Sequence, residues 1–257
     1  MRMTLILISL LFSYHSLPSA EEKNVEFWDL VSEYDSTIFN KKISQQTLEK
    51  LEKLAITSGG TLERKEVILK TIQHLEIHSS INALDEYMRS NIDTIGPKHT
   101  DYLMLDAKLR IISNIFANDS NSLKNSNYMN CETESCKRYS IALRLFLEKK
   151  PSQFKSLKKL CYQLCNFPLY HLAMMEFYKS IGDFVTLEEY SKNIIDNLLE
   201  RELLTSDPLL IRYAMAYLSY SLNENGKVEA SEFILTAALK DISPNSFAYT
   251  LTQFSSK

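Results

Sequence analysis

The chain has 257 residues, with 29 basic and 32 acidic side chains and a formal net charge of −3. It holds only 5 Gly and 6 Pro, where average usage gives roughly 18 and 13. The charge excludes the basic footprint of a nucleic-acid binder. The scarcity of breakers excludes a collagen-like chain and argues against a β-sandwich, which needs frequent turns. Long helices with short connections are expected, an all-α fold.

Residues 1–20 read as a secretory signal peptide. Arg2 gives a positive start. Leu5, Ile6, Leu7, Ile8, Leu10, Leu11 and Phe12 form the apolar stretch, and Ala20 is the small residue before Glu21-Glu22. That stretch is about half the ~20 residues a spanning helix needs. No other stretch reads as a membrane span. A secreted or periplasmic location is therefore expected, with residues 21–257 as the folded part.

Apolar residues then recur at helical spacing between breakers. The first helix is expected over residues 24–39, on a stripe of Val25, Trp28, Val31, Ile38 and Phe39. Residues 46–57 follow through Leu48, Leu51, Leu54 and Ala55, and Gly59-Gly60 ends them. Leu62 to Ile77 and Ile81 to Ile92 come next, then His99 to Ala117 after Gly96-Pro97. Asn118 to Asn130 is polar and reads as a long loop. It contains the glycosylation sequon Asn118-Asp119-Ser120.

Beyond it, helices are expected over Glu134 to Lys149, Ser152 to Asn166, Pro168 to Ser180, Phe184 to Leu204, Pro208 to Asn223 and Lys227 to Asp241. A short last one follows Pro244. Pro168, Pro208 and Pro244 sit where proline suits a first helical turn. Residues 21–130 are the more divergent part, 131–166 a cysteine-bearing hairpin, and 168–245 the most repetitive.

Four cysteines in a chain with a signal peptide read as disulfides. In two helices antiparallel across Pro151, facing residues have a constant sum of numbers. Cys131 with Cys165 and Cys136 with Cys161 fit that rule, as two nested bridges. Closing the outer loop would contribute about 3.8 kcal/mol in the chain-entropy model. A four-cysteine zinc site is the rival, although its usual pairs are closer.

The unit from Pro208 to Pro244 carries Leu218, Ser219 and Leu222 in its first helix. Asn225-Gly226 makes its turn, and Ser231, Leu235 and Ala238-Leu239 lie in its second helix. This resembles the tetratricopeptide repeat, with large-small pairs, a glycine turn, small residues in the second helix and a closing proline. Met215 stands where the family has Trp, and the proline comes one residue late. The preceding unit, with Phe177, Tyr178, Gly182-Asp183, Phe184 and Tyr190, is similar, but Leu187 departs from the expected small residue. Ala83, Tyr87 and Asn91 add a weaker match.

The resemblance implies antiparallel hairpins stacked as a solenoid, with a concave face that binds a protein segment. Tyr170, Tyr178, Arg212, Tyr213, Tyr217 and Tyr220 are the candidate partner-binding residues. Tyrosine offers a large face with a polar end. Packing of repeat on repeat is the competing role for the rings, and for Arg212 a stem run to solvent is a simpler reading than anchoring a carboxylate.

Little else suggests chemistry. His74 and His78 lie one helical turn apart, a metal-binding spacing, but with no third ligand they read as surface histidines. Acidic pairs such as Asp85-Glu86 and Glu188-Glu189 read as solvated faces. No phosphate loop, nucleophile elbow or dinucleotide fingerprint occurs, so no cofactor is expected. The reading is a secreted or periplasmic non-catalytic scaffold that binds another protein. The alternatives are a helical enzyme acting on cell-wall glycan through a single Glu, and a secreted effector.

Overall fold

A computed structural model describes residues 20–96, 100–116, 133–161, 167–199 and 207–256. These residues are all-helical, and no strand occurs among them. The helices are α1 (Ala20–Thr37), α2 (Lys41–Ser58), α3 (Thr61–His78), α4 (Ile81–Ile95), α5 (Thr100–Ile111, ending in a π-turn over Ile112–Phe116), α6 (Glu134–Glu148), α7 (Pro151–Leu160), α8 (Pro168–Ser180), α9 (Phe184–Leu199), α10 (Leu210–Glu224), α11 (Val228–Leu239) and α12 (Phe247–Ser255). No helix among the described residues is long and apolar enough to cross a membrane. The signal-peptide stretch, the polar loop with its sequon, and Cys131 and Cys165 lie outside the described residues.

The chain divides into two compact units, which meet in sequence between Thr71 and Ile72. In the first, Phe27, Val31, Tyr34 and Ile38 form the buried stripe of α1, against Leu48, Leu51 and Ala55 of α2. Their spacing of four, three and four is one helical face. Trp28 and Val25, placed on the stripe by sequence, are instead 42% and 62% exposed. Tyr34 Oη donates to Lys70 O at 2.8 Å, and Lys70 Nζ lies 2.6 Å from Asp35 Oδ1, fastening α3 to α1. The second helix starts five residues before its expected position. Asn40 caps it, its side chain accepting from Ile43 N at 3.2 Å, which satisfies an otherwise orphaned donor.

In the second unit α8 and α10 are central. Every residue of α8 from Pro168 to Tyr178 except Tyr170 is buried. It packs on α6, α9 and α10, while α10 also packs on α9, α11 and α12. Fully burying one such Leu or Met contributes about 1.5–3 kcal/mol, so these two helices supply much of the core. Where α10 meets α11 the contact is small and polar. Ser219 Oγ donates to Ser231 O at 3.0 Å, and Ser231 Oγ donates to Ser219 O at 2.7 Å. Larger side chains there would push the helices apart.

Proline behaves in two ways. Pro168 stands in the first turn of α8, as expected, and Pro151 stands in the first turn of α7, which starts one residue before the expected Ser152. Pro208 and Pro244 lie in turns two and three residues before α10 and α12. There Asp207 and Ser246 side chains accept from backbone amides instead. The turns after α8 and α10 place Gly182 and Gly226 at φ of 73° and 76°, a left-handed conformation that glycine adopts without a Cβ penalty.

Candidate functional site

An open site in the first unit lies between α1 and α2. Glu33 accepts from Thr47 Oγ1 at 3.2 Å. Val25, Glu26, Asp29, Leu30 and Glu33 share a groove of about 710 Å³ with Lys50, Lys53 and Leu54. Low numbers on α1 therefore face high numbers on α2, so the two helices run antiparallel. The groove size falls within the range of ligand-binding clefts, roughly 300–1,000 Å³. One rim is acidic, one is basic, and the half-buried Leu30 and Leu54 supply apolar surface, with exposed Val25 also lining the groove. Glu26, Asp29, Lys50 and Lys53 are all exposed and make no ion pair among the described residues. Trp28 projects from the opposite flank of α1.

The second unit holds its charges inside. Glu76 on α3 is fully buried, and its Oε1 lies 2.5 Å from Lys108 Nζ on α5. Asp207 Oδ2 is 3.7 Å from the same nitrogen, while Asp207 Oδ1 accepts from Leu209 N at 2.9 Å. Burial pushes the Glu76 carboxyl up to about 7, against the pull of Lys108. Burial also works against the Lys108 charge, but attraction to Glu76 and Asp207 outweighs it and holds the ammonium above its usual value. A cavity of about 30 Å³ adjoins Lys108, Asp207, Tyr139 and Tyr213. Tyr213 Oη has no hydrogen-bond partner among the described residues.

The six partner-binding candidates are placed as follows. Tyr213 and Tyr217 are core residues of α10, at 2% and 0% exposure. Tyr217 Oη donates to Glu176 Oε2 at 2.8 Å, and Lys149 Nζ holds the other oxygen at 2.7 Å. Neither ring offers a surface to a partner, because α10 is enclosed by α8, α9, α11 and α12. Tyr178 is also buried, between Phe154 of α7 and Tyr190 of α9, with ring centroids 5.8 Å from each. Tyr170 and Tyr220 stay partly exposed. Lys179 Nζ sits over the Tyr220 ring, 4.6 Å from its centroid. Arg212 donates to Ala237 O at the end of α11, so its guanidinium caps a helix.

Two further readings are corrected. His74 and His78 are not surface residues: they are 8% and 5% exposed, with ring centroids 4.8 Å apart. No cluster of metal-ligating side chains occurs among the described residues. Glu188 is not solvated either. It is 8% exposed and gathers Lys192, Lys227 and Asn225 at 2.7–2.9 Å. The hydrogen bonds from both lysines hold its carboxyl down at about 2.

His171, not singled out in the sequence, is buried with Nδ1 2.9 Å from Tyr190 Oη. Burial lowers its pKa to about 4, so it is a neutral core histidine. Cys136 and Cys161, at the start of α6 and the end of α7, are both disulfide-bonded.

The described residues are all-helical, with an open groove in the first unit and a buried charge cluster in the second. No protein-family model, curated protein or solved structure matches the chain.

Proposed function

We propose that this chain is an exported, non-catalytic helical-repeat protein that binds a helical segment of a protein in the α1–α2 groove. The observation that carries the reading is the groove itself: about 710 Å³, with Leu30 and Leu54 half-buried in it and opposed charged rims. An amphipathic helix laid between two helices completes a small bundle, a common recognition mode. Its apolar face would meet Val25, Leu30 and Leu54, and its charged flanks the two rims.

The tetratricopeptide-like arrangement is part of the proposal. The small-residue contact of Ser219 with Ser231 and the matching turns at Gly182 and Gly226 support it. The nested bridges Cys131–Cys165 and Cys136–Cys161 belong to the same proposal and fit an exported protein. Peptide mapping without reduction should recover these two pairs.

The glycan-enzyme alternative would centre on Glu76, the buried carboxyl raised to about 7. The space beside Lys108 and Asp207 is only about 30 Å³, a tenth of the smallest usual ligand cleft. It admits roughly one water and no sugar ring.

Photo-crosslinking tests the groove. A photoreactive residue replacing Leu30 or Leu54 should form adducts with a protein segment in the native compartment, and one replacing Trp28, on the opposite flank of α1, should not. Absence of protein adducts from both groove positions would overturn the reading.

A further inference from the structure

We infer that the groove occupant is a second copy of this chain, docked through α1 and α2 about a two-fold axis parallel to the helices. The inference rests on the groove being a protein-binding site, as proposed above, and names its partner from charge and register.

The acidic rim, Glu26 and Asp29, belongs to α1, and the basic rim, Lys50 and Lys53, belongs to α2. A foreign helix would have to carry both signs on matching flanks. A second copy carries them already. When two such faces meet about a two-fold axis parallel to the helices, each α1 lies over the other copy's α2. Every acidic rim then faces a basic rim, on both sides of the interface. A two-fold axis perpendicular to the helices would put like rims together, so charge selects between the two arrangements.

Register agrees. Residues that line one groove sit at the same height along the helices, and a parallel two-fold axis preserves height. Asp29 therefore comes level with Lys50 of the second copy, and Glu26 with Lys53 of the second copy. The new pair of helices is antiparallel, as α1 and α2 are within one chain. The result is a four-helix bundle closed by a symmetric, self-complementary contact.

Size sets the strength. Each helix has 18 residues and is about 27 Å long. A face two helices wide covers about 500 Å² per copy, below the ≈ 800 Å² of a standard stable interface. The dimer should be reversible and dependent on concentration. Its charge pairs lie at an exposed rim, so salt should weaken it.

Sedimentation equilibrium of the mature protein, with two double variants, tests this. The wild type should show a reversible monomer–dimer equilibrium. K50E/K53E makes both rims acidic, and E26K/D29K turns the α1 rim basic except for Glu33 at its end. Each alone should associate at least about a hundredfold more weakly, because like charges then face each other. Mixed in equal amounts, the two should form a heterodimer with affinity near that of the wild type. Circular dichroism should show both variants folded, since all four positions are exposed.

A wild type that stays monomeric at every concentration would overturn the inference, as would variants that dimerise unchanged or a mixture that does not associate. If the wild type is monomeric while Leu30 or Leu54 still cross-links to a different protein, the second-copy inference fails and the groove reading stands. If neither occurs, both fail.

Discussion

The two units use charge in opposite ways. In the first, Lys50 and Lys53 stand at an open rim with Glu26 and Asp29 across the groove. In the second, Lys108 is enclosed between Glu76 and Asp207. The residue types are the same and the surroundings differ. An exposed pair is worth little for stability, at most about 1 kcal/mol. A buried charge that loses its partner costs several. The rim charges are therefore free to choose a partner, and the buried ones are committed to the fold.

The sharpest break of that contrast is Lys108→Met. It leaves Glu76 and Asp207 enclosed without their cation, and should cost about 3–5 kcal/mol in urea unfolding. K50E/K53E should shift the same transition by no more than about 0.5 kcal/mol. Equal effects from the two variants would erase the distinction between the units.

Next in size are two opposed pH dependences within the second unit. Glu76 has a folded pKa raised from 4.5 to about 7. Its contribution is fully favourable below pH 4.5 and is lost as pH rises through 7, by about 3 kcal/mol. His171 has a folded pKa lowered from 6.5 to about 4. The folded state resists its protonation, so stability is lost as pH falls from 6.5 through 4, again by about 3 kcal/mol. In the wild type the two largely cancel between pH 4.5 and 6.5. Glu76→Gln should expose the histidine slope, with stability rising from pH 4 to 6.5. His171→Gln should expose the opposite slope, falling from pH 4.5 to 7. Thermal melts across that range read both.

A smaller effect sharpens the packing of the second unit. Ser231→Leu should overfill the contact with Ser219 and cost about 1–3 kcal/mol. Ser231→Ala removes only a hydroxyl and should cost about 1 kcal/mol. Reversed order would mean that α10 and α11 do not approach closely there.

The helices were largely legible because spacing and breakers report them directly. Leu48, Leu51 and Ala55 were on the expected stripe and are buried. The first helix was harder, since residues 24–39 hold apolar side chains on several faces. The spacing of Phe27, Val31, Tyr34 and Ile38 would have identified the true stripe over Trp28. α2 begins at Lys41, ahead of the apolar spacing, because Asn40 caps it.

The sites were less legible. Glu76 and Lys108 are 32 positions apart, and each alone reads as a surface charge; only folding brings them to 2.5 Å. Tyr213 and Tyr217 looked suited to a groove, yet the helices around α10 enclose them. The groove between α1 and α2 has no signature at any one position, because it is lined by side chains from two helices some twenty-five residues apart in sequence.

Lysine acylation footprinting tests the central contrast most directly. In dilute protein Lys50 and Lys53 should react readily, and in concentrated, associated protein both should become protected. Lys108 should stay unreactive in both until the protein unfolds. Unchanged reactivity of Lys50 and Lys53 on association, or ready modification of Lys108 in the folded protein, would contradict the account.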